Sequence, residues 1–254
     1  MVKISGETAK MKYVSIVLCH YSKIDDFNTV APGPTRSDLL RTSLESILTN
    51  TNYPAELIVV DNGGNPDDSD YLLGKAREGK LTHVRFPQNM HFSFAWNIGA
   101  KMATGQYLCF ICNDIVVAPN WLAECIRMLE EHPGEKIFAT PFIDPDKRRF
   151  DIILPNGDRS NPRAGSNSLV IRREDFYAIG EWPHRLLSGT KWYNNAEKIG
   201  YTSIAPPNNL AEDAGRRRGI SLSIRTHIRV PIKKILLDGS EVHFQELKFS
   251  DQKI

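Results

Sequence analysis

The sequence lacks the features that mark several classes of protein. Its 254 residues contain no uninterrupted apolar run of about 18 residues, so we expect no membrane-spanning helix. The segment Met1–Lys12 has no apolar centre, which argues against a secretory signal. The 17 glycines and 15 prolines are too few for a collagen-like or low-complexity chain. With 41% hydrophobic and 24% charged residues, the composition predicts an ordinary globular protein.

Cysteine is also scarce. The four cysteines lie mostly in apolar stretches, which favours free thiols in a reducing cytoplasm. Cys109 and Cys112 have the spacing of zinc and redox sites, but neither a second such pair nor a spaced pair of histidines accompanies them. Both fall in a strand-like run, where side chains three positions apart point to opposite faces. We therefore interpret them as structural thiols.

A large excess of charge is missing as well. The 32 basic and 30 acidic residues give a net charge of +2, so nothing in the overall charge points to nucleic acid. One segment differs: residues 214–237 hold seven arginines and lysines and no acidic residue. This stretch is either a solvated basic face or a surface that binds phosphates or an anionic membrane. On the second interpretation, residues 216–234 contact an anionic membrane, and the protein is peripheral at its inner, cytoplasmic face.

Hydrophobic periodicity predicts alternating strands and helices through the first 130 residues. Apolar, β-branched runs predict strands at 13–19, 56–61, 81–86 and 106–111. Apolar residues at helical spacing predict helices at 39–48, 71–77, 92–102 and 121–131. The alternation is typical of βαβ units, and the continuously apolar strands indicate a parallel sheet with helices on both faces.

The pattern weakens after Pro133. It predicts strands at 137–142 and 168–172, helices at 174–179 and 192–199, and a long polar loop at 144–163. Residues 242–249 alternate between apolar and polar, as in an edge strand, a dimer contact or a swapped tail.

Polar residues follow three of the predicted strands: His20 and Tyr21, Asp61 and Asn62, and Asn113 and Asp114. Ligands of open α/β sheets bind at the carboxyl ends of the strands. The sequence therefore places its candidate site at this edge of the sheet.

Four motifs in this order carry a resemblance to a known family: 14–18, 57–62, Asn97-x-Gly99 with Gly105, and 110–114. Over about residues 13–130 they resemble the inverting family 2 glycosyltransferases of GT-A fold, with a weaker similarity in 164–182. The rhamnosyltransferase-like branch is the most similar subgroup. The resemblance implies a single α/β domain with a Rossmann-like, mostly parallel central sheet flanked by helices. We expect this domain at 10–235, followed by a strand or tail at 236–254.

The resemblance also implies an activity. A hexosyl or deoxyhexosyl group would move from a nucleotide-diphosphate sugar to a glycan or lipid-linked glycan acceptor in cell-surface polysaccharide synthesis. It assigns nucleotide binding to seven residues: His20, Tyr21, Asp61, Asn62, Asn89, Asn97 and Asn113. Asp61 would accept a hydrogen bond from the base, although an aspartate before Asn-Gly-Gly is also a common turn cap. Asn89 and Asn97 flank the start of the helix at 92–102, and a helix N-terminus favours the anionic diphosphate.

The resemblance further implies a divalent cation. Asp114 matches the last acidic position of the family's metal-binding motif, and Asp213 is a candidate further ligand. Mg²⁺ or Mn²⁺ suits such oxygen ligands. Cys112 stands where the family usually has a first Asp or Asn, which predicts weaker metal binding.

An inverting transfer also needs a carboxylate as general base. The family position, about 12 residues before the helix-closing Gly200, holds no carboxylate. Candidate replacements are Asp151, Asp158, Glu197 and the pair Glu212 and Asp213. The missing base leaves an alternative open, a non-catalytic sugar-nucleotide-binding or partner subunit.

Three aromatic residues lie near the expected acceptor side: Trp182, Trp192 and Tyr193. Two interpretations are open: the rings stack on an acceptor sugar, or they pack in the core.

Overall fold

The structure, a computed structural model, describes residues 13–22, 34–144, 152–153, 159–160, 163–164, 168–184, 188–214, 226–235 and 241–250. Its helices are α1 (Arg36–Asn50), α2 (Pro66–Arg77), α3 (Phe92–Met102), α4 (Trp121–Glu131), α5 (Arg173–Ile179) and α6 (Ser188–Lys198). Its strands are β1 (Val14–His20), β2 (Ala55–Asp61), β3 (Thr82–Arg85), β4 (Tyr107–Cys112), β5 (Ile115–Val117), β6 (Ile137–Ala139), β7 (Ile143–Asp144), β8 (Ile152–Ile153), β9 (Arg159–Ser160), β10 (Arg163–Ala164), β11 (Ser168–Arg172), β12 (Thr202–Ile204), β13 (Ala211–Asp213), β14 (Thr226–Ile235) and β15 (Glu241–Ser250).

A central sheet organises the domain. Among the described residues nine strands form it, in the order β3-β2-β1-β4-β11-β6-β12-β8-β9. The strands β1 to β4 are parallel to one another, and β11 runs antiparallel between β4 and β6. The predicted α/β class with a mostly parallel sheet is confirmed. Outside this sheet, β13 pairs with β5, β10 with β7, and β14 with β15.

Both faces of the sheet are buried, as the apolar strands predict. Ile16 and Leu18 of β1 pack into one layer with α1 and α4, whereas Val17 points into the opposite layer with α3. Gly99 lets α3 approach closely, because a Cβ there would come within 2.2 Å of Val17 Cγ1. Close packing of this kind fixes the helix over the sheet and leaves no room for a larger residue.

The aromatic residues near the expected acceptor side belong to the second layer. Trp182, Trp192 and Tyr193 are all buried, and the rings of Trp182 and Trp192 stack with their centroids 4.5 Å apart. A buried ring has no face to offer to a sugar, so the acceptor interpretation is wrong and core packing is correct.

The thiols and the membrane prediction can also be compared with the structure. None of the four cysteines, all of which are described, forms a disulfide, and burial raises the pKa of the Cys19 thiol to about 12, with a smaller contribution from Asp61. The burial of Cys19, Cys109 and Cys125 agrees with structural thiols, and the reducing compartment stays a prediction. No helix in the described part of the chain is long and apolar enough to cross a membrane.

The element boundaries differ from the sequence prediction in several places, and the polar loop predicted at 144–163 contains the two-residue strands β8, β9 and β10. Helix α2 begins at Pro66 rather than residue 71, because the Asn65 side chain caps it and proline suits the first turn. The three-residue strands β5, β12 and β13 were not predicted, since hydrophobic alternation cannot be read from so few residues. The alternating stretch 242–249 lies in β15, whose partner β14 precedes the proposed boundary at residue 236; that boundary stays a prediction.

Candidate functional site

Three parallel strands end at the same level, and their polar end residues meet there. His20 of β1 pairs in register with Asp61 of β2, and Cys19 pairs with Cys112 of β4. The chain runs from β1 through β2 to β3 on one side of the sheet and then returns to β4 on the other side. This reversal between β1 and β4 is the topological switch point at which open α/β sheets bind ligands.

Asp61 organises the turn after β2. Its carboxylate is fully buried; Oδ1 accepts the Gly64 N–H at 2.7 Å, and Oδ2 accepts the Ser69 hydroxyl. Burial opposes ionisation, but His83, Ser69 and Gly64 outweigh it and hold the pKa of Asp61 below its usual range. This is the turn-capping arrangement, and the base contact of Asp61 stays a prediction.

Glycine is required in this turn. Gly63 has φ +82°, and a Cβ there would meet the Gln88 carbonyl carbon at 2.5 Å. A Cβ on Gly64 would come within 2.8 Å of Asp61 Oδ1. The backbone therefore wraps around the carboxylate in a way that only glycine permits.

Asn62 joins the end of β2 to the segment before α3. Its Nδ2 donates to Asn89 Oδ1 at 3.1 Å, and its Oδ1 accepts the Met90 N–H at 2.8 Å. The His91 N–H also donates to Asn89 Oδ1, and His91 then caps α3 with φ 76°. The structure thus brings Asn62 and Asn89 together, and their contact with a nucleotide stays a prediction. A non-glycine residue with positive φ is uncommon.

The end of β1 is tied to two other elements through His20. This residue is fully buried, with Nε2 3.0 Å from Asp68 Oδ2 and Nδ1 2.9 Å from Asn113 Nδ2. Asp68, also fully buried, additionally accepts the Ser37 hydroxyl at 2.8 Å and Arg41 Nη1 at 3.0 Å. Asp68 is not identified from the sequence, because it lies outside the predicted strands and helices.

Of the two candidate metal ligands, Asp213 ends β13 and Asp114 lies in the turn before β5. In the β5–β13 pair, Asp213 stands opposite Ile115, and the Ala214 N–H donates to the Asp114 carbonyl at 2.8 Å. The described residues contain no cluster of three His, Cys, Asp or Glu side chains suited to a metal ion. Two carboxylates fit a hard cation such as Mg²⁺, which takes further oxygen ligands from phosphates and water.

Asn97 has its amide engaged elsewhere. Its Nδ2 donates to the Trp182 carbonyl at 2.9 Å, and its Oδ1 accepts the Trp182 N–H at 3.0 Å. The residue therefore holds the segment after α5 against α3. Its nucleotide contact stays a prediction.

Four candidate residues and the basic segment remain. Tyr21 is half-buried directly after β1, and Glu197 is exposed on α6. Asp151 and Asp158 lie outside the described residues. Of the basic segment 216–234, residues 216–225 lie outside the description and the rest form β14.

Comparisons with known proteins bear on the family and the fold. The family model described as "Glycosyl transferase family 2" matches residues 35–187. The O-antigen biosynthesis protein RfbC of Myxococcus xanthus is 27% identical over 61% of this chain, which spans only 14% of that relative.

Two solved structures share the fold. The mannosyltransferase PcManGT from Pyrobaculum calidifontis, in complex with GDP-Man and Mn²⁺, has a TM-score of 0.60 at 19% identity, covering 83% of this chain and 59% of that one. GalNAc-T7 with UDP, GalNAc and Mn²⁺ has a TM-score of 0.53 at 17% identity, covering 76% and 42%. Both complexes contain a nucleotide and Mn²⁺.

Proposed function

The chain belongs to glycosyl transferase family 2, and from that premise we propose that it transfers a sugar from a nucleotide-diphosphate donor to an acceptor hydroxyl with inversion. The observation that carries this proposal is the adjacency of Asp114 and Asp213 at the switch point of the sheet. The transferred group is a hexose or deoxyhexose, in keeping with the rhamnosyltransferase-like motifs. The acceptor is a glycan or lipid-linked glycan of a cell-surface polysaccharide, and the O-antigen relative supports this choice.

The donor nucleotide lies across the ends of β1 and β2. Tyr21, Asn62 and Asn89 border this region, and the N-terminus of α3 follows it directly. A helix N-terminus attracts anions, so the diphosphate points towards α3 and β4. The Asp61 carboxylate accepts the Gly64 N–H and so holds the glycine turn in place. Its contact with the base is part of the proposal.

Asp114 and Asp213 would hold Mg²⁺ or Mn²⁺. When bound, such a cation neutralises the negative charge that develops on the departing diphosphate. The nucleotide complexes of the two solved structures contain Mn²⁺, which supports a divalent cation here.

The chemical step requires a base on the acceptor side. The acceptor oxygen bonds to the anomeric carbon, the bond from that carbon to the diphosphate oxygen breaks, and a carboxylate takes the acceptor's proton. Asp151, Asp158 and Glu197 are the proposed candidates. The basic residues of 216–234 are proposed to hold the protein at the inner face of an anionic membrane in the cytoplasm.

A donor-turnover assay tests the function. The protein is incubated with UDP-, GDP-, dTDP- and CMP-linked sugars, with and without Mn²⁺, and nucleotide release is measured. We expect Mn²⁺-dependent release from one donor and none from Asp114→Asn. Nucleotide binding without release for any donor would favour the non-catalytic sugar-nucleotide-binding role. The absence of both nucleotide binding and nucleotide release would contradict the proposed site.

A further inference from the structure

We propose that His20 is a positioning residue that fixes Asn113, and with it the strand end carrying Asp114, rather than a ligand of the nucleotide. The proposal rests on the proposed function, because Asp114 needs a fixed place only if a diphosphate and its cation bind there. His20 is fully buried, and both of its ring nitrogens lie within hydrogen-bond distance of protein groups. No ring nitrogen remains for a ligand.

The partners of His20 determine which ring nitrogen carries the hydrogen. Asn113 approaches Nδ1 with its amide nitrogen, which can only donate, so Nδ1 acts as the acceptor. Nε2 therefore carries the hydrogen and donates it to Asp68, 3.0 Å away. A hydrogen bond from one nitrogen to a carboxylate selects the tautomer and leaves the other nitrogen with its lone pair.

Asp68 is suited to this task because it is ionised and immobile. Burial opposes its ionisation, but the hydrogen bonds from His20, Ser37 and Ser22 outweigh burial and hold the pKa of Asp68 far below its usual range. Hydrogen bonds from Ser37 and Arg41 attach the Asp68 carboxylate to α1. The backbone N–H of Asp68 donates to the Asn65 side chain, which caps α2. The aspartate is thus anchored by both helices.

These contacts form one continuous connection from the helices to the proposed cation site. It runs from Asp68 through His20 to Asn113, and Asp114 is the next residue along the chain. Residues that hold a metal ligand in place without touching the metal orient that ligand, and their loss weakens metal binding without removing a ligand. Asp68 fixes the imidazole, and the imidazole fixes Asn113.

Substitution of His20 by asparagine or by glutamine separates its hydrogen bond to Asn113 from its hydrogen bond to Asp68. In His20→Asn the amide lies where Nδ1 lay, so an oxygen acceptor for Asn113 is kept and the bond to Asp68 is lost. In His20→Gln the amide lies where Nε2 lay, so the bond to Asp68 is kept and the acceptor for Asn113 is lost. Each variant loses one buried hydrogen bond, so we expect similar decreases in melting temperature. If His20 had a purely structural role, the two variants would therefore be affected alike.

The discriminating readout is the Mn²⁺ concentration that half-saturates binding of the nucleoside diphosphate preferred by the wild type. We expect it to rise about tenfold in His20→Gln and to stay near the wild-type value in His20→Asn. Equal changes in the two variants, or no change in either, would overturn the positioning role.

A ligand-free measurement keeps this result separate from the proposed function. In ¹H–¹⁵N spectra, His20→Gln should displace the side-chain amide signal of Asn113 and the backbone signal of Asp114, whereas His20→Asn should leave both near their wild-type positions. Equal displacement in the two variants contradicts the positioning role even if the wild type binds no nucleotide. Absence of nucleotide binding by the wild type counts against the proposed function alone.

Discussion

The N–H of Ala214 donates to the carbonyl of Asp114, with 2.8 Å between nitrogen and oxygen. This bond extends the antiparallel pairing of β5 and β13 by one step and sets Asp213 beside Asp114. The backbone segments that carry two aspartates far apart in the sequence are thus adjacent just beyond the end of β4. The proposed cation site depends on this backbone contact.

Substitution of the acidic residues tests that site. Asp114→Asn removes a charged ligand and should weaken Mn²⁺-dependent nucleotide binding by about tenfold or more, which corresponds to about 1.4 kcal/mol. Asp213→Asn should act in the same direction to a smaller extent. Isothermal titration calorimetry measures both. Asp67→Asn, an exposed carboxylate of α2, is the matched control and should bind as the wild type does.

The general base is identified by a comparison of kcat with donor affinity. Among Asp151→Asn, Asp158→Asn and Glu197→Gln, one variant should lose about 10²–10⁴-fold in kcat, because it no longer removes the acceptor's proton. Its donor affinity should stay near that of the wild type, since the base does not hold the nucleotide. Full activity in all three variants would exclude every one of these candidates.

Asp68 should make stability depend on pH. Asp68→Asn leaves buried donors without their carboxylate and should cost about 3 kcal/mol at pH 7. Because the pKa of Asp68 is lower in the folded than in the unfolded protein, its stabilising effect is present above about pH 4 and is lost as the pH falls further. Urea unfolding at pH 7 and pH 3 should therefore show a smaller difference between variant and wild type at pH 3.

The same pair of titrations on Asp67→Asn gives the control. Asp67 is exposed in the first turn of the same helix, so its loss should change the free energy of unfolding far less at either pH. A difference between Asp68→Asn and wild type that is unchanged between pH 7 and pH 3 would contradict the ionised, buried carboxylate.

Arg173 should stabilise the end of α3. Its guanidinium donates to the carbonyls of Ala103 and, at 3.0 Å, Gly105, which lie at and just beyond the C-terminus of the helix. Charged donors to such carbonyls are favourable, so Arg173→Ala should lower the free energy of unfolding by about 2 kcal/mol. Arg127→Ala is the control, because its ion pairs are exposed on α4, and it should lose less than about 1 kcal/mol. Equal losses in urea unfolding would contradict this role.

The sequence predicts the sheet well where strands and helices are long enough to show their period. Helices α3 and α4 and strand β11 have the bounds predicted from spacing alone. Strands β5 and β13 are missed because three residues carry no readable alternation. Since β13 is what brings Asp213 to Asp114, that adjacency could not be derived from hydrophobic periodicity.

In the candidate site, residues at strand ends are predicted from the sequence, whereas a residue defined by its tertiary contacts is not. The polar strand ends His20, Asp61 and Asn113 are predicted from the rule that ligands bind at the carboxyl ends of strands. Asp68 is not, because its importance comes from partners on β1 and α1 that only the tertiary structure assembles. For Trp182 and Trp192 the sequence leaves two interpretations open, since an aromatic residue has the same appearance in a sequence whether it packs in the core or lines a site, and burial decides for the core.

The most direct test of the proposed function is a thermal-shift titration with UDP, GDP, dTDP and CMP, each with and without Mn²⁺, on the wild type and on Asp114→Asn. A nucleotide at about 100 times its dissociation constant adds about 2.7 kcal/mol to the free energy of unfolding, which is visible as a higher melting temperature. We predict such a rise for one nucleoside diphosphate, only with Mn²⁺, and its loss in Asp114→Asn. An unchanged melting temperature with every nucleotide, or an equal rise in Asp114→Asn, would contradict a metal-dependent donor site at the ends of β1, β2 and β4.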